Sequence, residues 1–326
     1  MDKVLVTRDI PKNGLDMLKR EFQVYVNPYD RNMTKEELME KIEDVFAVIP
    51  MVSDKIDKEV IDRAKKLKII ANYGVGINNV DIEYATKKGI FFTNTPGVLT
   101  QSTAELGWAL IMACARRIVN SDSFTREGKF TGFAPTLMLG KELYNARIGI
   151  IGMGRIGSSV ARMARFGFNM DVVYYNRSIS DKELLVDAGK IELDELLKTS
   201  DVIILTTPLN NESKHLISKR EFDLMKSDVV FVNIARGEVV DTDALIDTLR
   251  SGKLFACGLD VYENEPDFDK RLLEFDNCVL LPHIGSATIK TREKMADIVA
   301  NNVISAYQNR CPEFVVNREA LCTAEK

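Results

Sequence analysis

The sequence predicts an α/β protein built from two doubly wound parallel-sheet domains. Short apolar runs alternate with amphipathic stretches from Val4 to Lys88, and a second series of the same kind begins at Ile148. Between them in character, Gly149-Ile150-Ile151-Gly152-Met153-Gly154-Arg155-Ile156-Gly157 runs from a short apolar strand straight into a glycine-spaced turn and a helix start. Strands that alternate with helices stack the helices on the faces of a parallel sheet. At 326 residues the chain has room for two ordinary domains.

In the first series, strands are expected at Val4–Thr7, Gln23–Val26, Val45–Pro50, Lys68–Asn72 and Ile90–Thr93. Helices are expected between them at Asn13–Arg20, Thr34–Ile42, Lys58–Lys66 and Asp81–Lys88. Thr100-Gln101-Ser102-Thr103 starts a further helix, whose apolar spacing continues to Val119. The stretch Asn120–Asn145 then shows little periodicity and is longer than ordinary connections. It carries Phe124, Phe130 and Phe133, which are costly to leave in water. They either fold back on their own domain or, as is favoured here, form an arm docked on a second subunit.

The second series has strands at Ile148–Ile151, Val172–Tyr175, Val202–Thr206, Val229–Asn233, Ala256–Leu259 and Val279–Leu281, with a helix from Arg155 to Phe166. Ala287–Asn309 is a long helical pattern that follows this unit and is expected to return to the first domain. The expected domains are therefore 1–101 with 288–326, and 102–287. Helices near 102–119 and 288–309 would form a hinge across a cleft between them, a common place for small-molecule sites.

Forty-eight acidic and 44 basic residues leave a net charge of −4, which provides no basic field for nucleic acid and no polybasic membrane patch. Hydrophobic content of 45% and charged content of 28% suit a globular protein with a sizeable core. Met1-Asp2-Lys3 leads directly into Val4-Leu5-Val6 without a signal-peptide apolar region, and Leu106–Ala115 is too short to span a bilayer. A cytoplasmic location is expected. Five cysteines (Cys114, Cys257, Cys278, Cys311 and Cys322) lack C-x-x-C spacing and are expected to be free thiols, neither disulfides nor metal ligands.

Gly152, Gly154 and Gly157 carry the G-x-G-x-x-G spacing of a dinucleotide site. The first glycine makes the tight turn, the second admits a pyrophosphate to the backbone, and the third brings helix and strand together. An acid at the end of the next strand usually holds an NAD ribose. Asp171 has a suitable count but stands at the wrong end of Val172–Tyr175, whose far end reads Asn176-Arg177-Ser178. Arg177 and Ser178 could hold a 2′-phosphate, so NADP(H) is favoured over NAD(H).

Of the two histidines, His283 follows an apolar strand in Leu281-Pro282-His283-Ile284-Gly285, where α/β sheets place ligands. His215 lies in a polar helix start and reads as structural. Arg236 ends the strand Val232-Asn233-Ile234-Ala235-Arg236-Gly237 and could hold a carboxylate with its two-pronged guanidinium. Glu265, in Asp260-Val261-Tyr262-Glu263-Asn264-Glu265-Pro266, is either part of a solvated acidic loop or the carboxylate that orients a histidine.

These segments resemble the D-isomer-specific 2-hydroxyacid dehydrogenases, and within them the glyoxylate/hydroxypyruvate reductases. The resemblance runs from Tyr73-Gly74-Val75-Gly76, Asn79-Val80-Asp81, Asn94-Thr95-Pro96-Gly97 and Ala104-Glu105 through the glycine turn to Asn233–Gly237, Gly258–Glu263 and Pro282–Gly285. It implies a Rossmann-type nucleotide domain and a flavodoxin-like substrate domain. It also implies an Arg, Glu and His constellation, carried here by Arg236, Glu265 and His283, with Glu265 preferred over Glu263 because it precedes the proline. Arg236 and His283 would meet the substrate, joined by backbone N–H groups of Val75 and Gly76 and by a loop at Val52. For the cofactor the resemblance implies Thr103, Gly152, Gly154, Arg155, Ile156, Gly157, Asn176, Arg177, Ser178, Thr207, Pro208, Ile234 and Asp260, the last at the nicotinamide amide. The implied reaction is reduction of a small 2-oxo acid to a D-2-hydroxy acid by a homodimer. Phosphoglycerate or branched 2-hydroxyacid dehydrogenases, and a nucleotide-sensing corepressor, are the alternatives, while formate dehydrogenases lack the partner glutamate seen as Glu265.

Overall fold

Valine, isoleucine and leucine fill the central strands almost without interruption, the pattern of sheets covered on both faces. A computed structural model describes residues 1–177 and 186–322, in two compact units. One comprises Met1–Leu99 with Ser286–Lys326, the other Thr100–Gly285, with divisions slightly ahead of the expected 102 and 288.

The first unit has five strands: β1 (Lys3–Val6), β2 (Gln23–Val26), β3 (Ala47–Ile49), β4 (Ile69–Ala71) and β5 (Phe91–Thr93). They pair in parallel in the order β2-β1-β3-β4-β5, the flavodoxin-like arrangement. Alternate residues point into separate cores, Val4, Val6 and Ile49 on one face and Leu5, Val48 and Ile70 on the other. The helices are α1 (Lys12–Glu21), α2 (Lys35–Lys41), α3 (Lys58–Arg63) and α4 (Ile82–Lys87). Thr34, Asp57 and Asp81 start the last three by accepting a first-turn N–H. A long helix near the carboxyl end (Ile289–Tyr307) belongs to this unit and packs on α1, where Asn13 Nδ2 donates to Glu293 O (2.8 Å) and Asp297 Oδ1 (2.7 Å).

The expectation that all five cysteines are free is corrected at the carboxyl end. Cys311 and Cys322 form a disulfide with Cα atoms 5.8 Å apart, because the terminal segment turns back on itself, which their spacing did not reveal. Cys114, Cys257 and Cys278 are free thiols. The same segment adds an antiparallel bridge, Val315 to Thr93, at the edge of the otherwise parallel sheet. Asn317 secures it by accepting from Phe92 N (3.0 Å) and donating to Ile90 O (3.0 Å).

The second unit has seven parallel strands: β6 (Arg147–Ile151), β7 (Asp171–Tyr175), β8 (Gly189–Lys190), β9 (Val202–Leu205), β10 (Val229–Asn233), β11 (Leu254–Leu259) and β12 (Cys278–Leu280). Their order, β12-β11-β10-β9-β6-β7-β8, reverses between β6 and β9 as in the Rossmann arrangement. Ile148, Ile150, Val202 and Ile204 face one core, and Ile151, Ile203 and Leu205 the other. The helices are α5 (Thr100–Ala115), α6 (Ile118–Arg126), α7 (Arg155–Phe168), α8 (Leu193–Thr199), α9 (Lys219–Leu224) and α10 (Thr242–Arg250), so the helix Ile289–Tyr307 of the first unit is α11. Trp108 on α5 stacks on Phe168 of α7 (4.7 Å between centroids) and gives its buried indole N–H to Val160 O (3.2 Å).

The helix expected to reach Val119 instead breaks at Arg117, in the left-handed region at φ 51°, and resumes as α6. The first part of the stretch taken as aperiodic is therefore helical. Phe124 is half-buried, whereas Phe130 and Phe133 stay 59% and 92% exposed. Among the described residues, no helix is long and apolar enough to cross a membrane.

Candidate active site

β6 ends at the point where the strand order reverses, and its turn into α7 is tight. Gly152 takes φ 107°, and a Cβ there would lie 2.6 Å from Thr207 N. A Cβ on Gly157 would lie 2.2 Å from Gly152 O, so no larger residue fits against the turn. Gly154 differs: it begins α7, is exposed, and a Cβ built on it meets no protein atom within 4 Å. That open space at a helix N-terminus fits the pyrophosphate of a dinucleotide, which a side chain would displace. Thr206 Oγ1 donates to Gly152 O (2.6 Å) and Met153 N to Asn176 Oδ1 (3.1 Å), tying the ends of β9 and β7 to the turn. Arg155 is exposed and Ile156 half-buried in the first turn of the helix.

The other candidate nucleotide residues are spread over the same unit. Asp171, at the start of β7, pairs with Arg147 (2.6 Å). Arg177, at the far end, is exposed and ion-paired with Glu212, a partner the sequence did not signal. Ser178 lies outside the described residues. Thr207 backs onto Gly152, and exposed Pro208 accepts from Ser213 Oγ through its carbonyl (2.7 Å). Ile234 is buried just past β10, and buried Thr103 on α5 comes close enough to Gly285 that a Cβ there would lie 3.3 Å from its methyl.

Arg236 follows β10, where Asn233 bonds both ways around the turn: its Nδ2 donates to Arg236 O (2.9 Å) and its Oδ1 accepts from Ala235 N (2.9 Å). Burial pulls the guanidinium pKa below its usual value, opposed by the charges of Glu265 and Glu238, and it remains cationic. His283, after β12, sits in the left-handed region at φ 53° with its Nδ1 2.7 Å from Glu265 Oε2. The other oxygen of Glu265 accepts from Tyr262 N (2.8 Å), which fixes the carboxylate. Glu263 is turned elsewhere, 2.7 Å from Nε2 of His215, and also accepts from Thr242 N (3.2 Å). One acidic loop thus holds both histidines, each with its own glutamate, and the pairing of His215 was not foreseen.

Asp260, which the resemblance implies at the nicotinamide amide, lies just past the end of β11. It is 2% exposed, and its two oxygens accept from Ile284 N (2.7 Å) and Gly285 N (2.8 Å), the backbone following His283. Burial raises its pKa, while those two bonds and the nearby imidazole of His283 oppose the rise.

In the first unit, Val52 lies in the turn after β3, and Val75 and Gly76 lie in the loop after β4. Thr95 N donates to Gly74 O (3.0 Å) and Asn94 Nδ2 to Val75 O (2.9 Å). A trans peptide points its N–H opposite its carbonyl. Holding these two carbonyls therefore directs the N–H groups of Val75 and Gly76 to the other side of the loop.

Comparison with known proteins agrees with this architecture. The family model described as D-isomer specific 2-hydroxyacid dehydrogenase, NAD binding domain, matches residues 108–285. A glyoxylate reductase of Thermococcus gammatolerans is 48% identical over 324 residues, covering 98% of this chain and 97% of the relative. The crystal structure of the TT0316 protein from Thermus thermophilus superposes with a TM-score of 0.91 at 42% identity, covering 96% of this chain and 99% of that one. A glyoxylate reductase from Paecilomyes thermophila superposes with a TM-score of 0.85 at 33% identity, covering 98% and 99%. With a model spanning more than half of its length and relatives alike from end to end, the chain belongs to the D-isomer specific 2-hydroxyacid dehydrogenases, oxidoreductases that use a nicotinamide cofactor.

Proposed function

We propose that the protein reduces small 2-oxo acids, glyoxylate or hydroxypyruvate foremost, to the corresponding 2-hydroxy acids, of D configuration where the new carbinol carbon is chiral. The observation that carries this reading is the 2.7 Å contact of His283 with Glu265, on the same sheet ends as the Arg236 guanidinium. The residues of the β6–α7 turn would hold a nicotinamide cofactor, which when bound would supply a hydride for the carbonyl carbon. Arg236 holds the substrate carboxylate and polarises the keto oxygen, as a planar guanidinium can. In the first unit, the N–H groups of Val75 and Gly76 are the candidate donors to a substrate carboxylate, with Val52 in the neighbouring turn. With Nδ1 of His283 taken by Glu265, Nε2 is the ring nitrogen that delivers a proton to the developing alkoxide. Glu265 keeps the ring aimed, and Asp260 fixes the following backbone. Hydride and proton together convert the ketone to the alcohol, with the oxyanion stabilised by fixed positive charge.

NADPH is the expected reductant. The Arg177–Glu212 pair is exposed on both sides, so its net strength is small and a 2′-phosphate dianion would displace the carboxylate. Exposed Phe130 and Phe133 favour a homodimer in which they are covered. The test is NADPH and NADH oxidation with glyoxylate, hydroxypyruvate and 2-oxoisocaproate, with chiral analysis of hydroxypyruvate's product. Turnover on the two smaller acids is expected, with a D product from hydroxypyruvate. Cofactor binding without turnover on any of the three would overturn the assignment, and a strong NADH preference would overturn the role given to Arg177.

A further inference from the structure

Three strands of the first unit end side by side at Thr7, Met51 and Asn72, and a carboxylic acid is buried among them. Asp54 is only 5% exposed, and among the described residues no cationic side chain hydrogen-bonds to it. It stands at the close of a tight turn: Asp54 N donates to Met51 O (3.0 Å), while Met51 N donates to Asp54 Oδ2 (2.7 Å). Thr7 Oγ1 donates to the same oxygen (2.5 Å). Val52 is therefore at the tip of a turn locked through both of its ends.

The lock extends to the loop of Val75 and Gly76. Asn79 Nδ2 lies 3.1 Å from Met51 O, 3.2 Å from Asp54 O and 3.0 Å from Asn72 Oδ1. Asn72 Nδ2 in turn donates to Gly76 O (2.8 Å). Gly74 leaves room for Val52, since a Cβ on it would lie 2.3 Å from Val52 Cγ1. Burial pushes the Asp54 carboxyl pKa up, with the bonds from Thr7 and Met51 opposing it. A fold that sought only stability would fill such a place with a hydrocarbon, because a buried carboxylate is costly to desolvate. What the polar group adds is direction: it fixes a surface turn to a single shape.

We propose that Asp54 is a positioning residue for the substrate, acting through the Met51–Asp54 turn to hold Val52 and the neighbouring Val75–Gly76 loop in the shape that accepts a small 2-oxo acid. The inference rests on the reductase reading above. It is tested by steady-state kinetics of Asp54→Ala and Asp54→Asn with glyoxylate and either cofactor, beside NADPH binding by fluorescence and thermal melting. In Asp54→Ala the KM for glyoxylate should rise about tenfold or more, with kcat within about threefold and cofactor affinity within about twofold. Asp54→Asn, which keeps an acceptor for Met51 N, should recover most of that loss. Should Asp54→Ala not fold, Thr7→Val decides, with a rise in KM of about threefold expected from the loss of one hydrogen bond.

A folded Asp54→Ala or Thr7→Val with unchanged KM for glyoxylate would overturn the proposal, as would equal losses in Ala and Asn variants. So would a fall in kcat alone. A wild-type protein that turns over no 2-oxo acid would defeat the reductase reading and this proposal together, whereas active wild type with insensitive variants defeats this proposal only.

Discussion

His283 is held at one ring nitrogen by Glu265, and if the other is the proposed proton donor its removal should affect chemistry more than binding. The Nδ1 contact with Glu265 is short, and the carboxylate is itself anchored by Tyr262 N. His283→Ala is expected to lower kcat by about a hundredfold to ten-thousandfold, the usual range for a positioned proton donor. The NADPH dissociation constant, read by fluorescence titration, should move less than about threefold, because the histidine is not part of the glycine turn. Equal losses in both would place His283 at the cofactor instead. Arg236→Lys keeps the charge but loses the planar fork, and Asn233 still holds the surrounding backbone. It should raise the KM for glyoxylate about tenfold or more with a smaller change in cofactor affinity, and unchanged kinetics would remove Arg236 from the substrate's carboxylate.

At the scale of elements, the β6–α7 turn separates fold from ligand within a few residues. Gly154→Ala puts a methyl where no protein atom stands within 4 Å, so the melting temperature should hold while NADPH affinity falls. Gly157→Ala drives a methyl to 2.2 Å from Gly152 O, so the melting temperature should fall as well. If Gly154→Ala binds NADPH normally, the pyrophosphate does not sit there. The start of α2 gives a pH test: Arg31 and then the Thr34 N–H hold the Glu37 carboxyl down from 4.5 to about 2. A depressed folded pKa stabilises above the ordinary value and is lost as pH falls from 4.5 toward 2. Amide exchange in the first turn of α2 should therefore be faster in Glu37→Gln than in wild type at neutral pH, with the gap narrowing over that window. The strands were legible because both sheets are covered on both faces, which leaves long apolar runs at β3, β4, β9 and β10. α6 was not, because none of its residues is buried and it has no apolar period to read. β8 has only two residues, both exposed. Arg236, Glu265 and His283 stood out at strand ends and in motifs. The lock at Asp54 did not, since Thr7 reaches the Met51–Asp54 turn from the end of a different strand and nothing in a linear pattern brings them together.

The whole molecule carries apolar surface that a single chain leaves uncovered. Ile118, Val119, Phe130, Phe133 and Leu139 are all exposed within one stretch, and Phe133 is 92% so. Isolated exposed hydrophobes are ordinary, but a run of them within one stretch is what the proposed homodimer would cover. Covering one phenylalanine fully is worth about 2 kcal/mol, so a self-complementary face that uses two from each chain has enough driving force to hold against the cost of association only when the rest of the arm joins it. The net charge of −4 is small enough that repulsion between copies does not oppose them strongly. Sedimentation equilibrium should accordingly give a mass twice the 36.7 kDa of one chain. Phe133→Asp places a charge where the interface would exclude water, and should shift the population toward monomer while leaving far-UV circular dichroism unchanged. A wild-type protein that sediments as monomer at micromolar concentration would show that the arm serves some purpose other than pairing. A Phe133→Asp variant that stays dimeric would place the interface elsewhere on the surface.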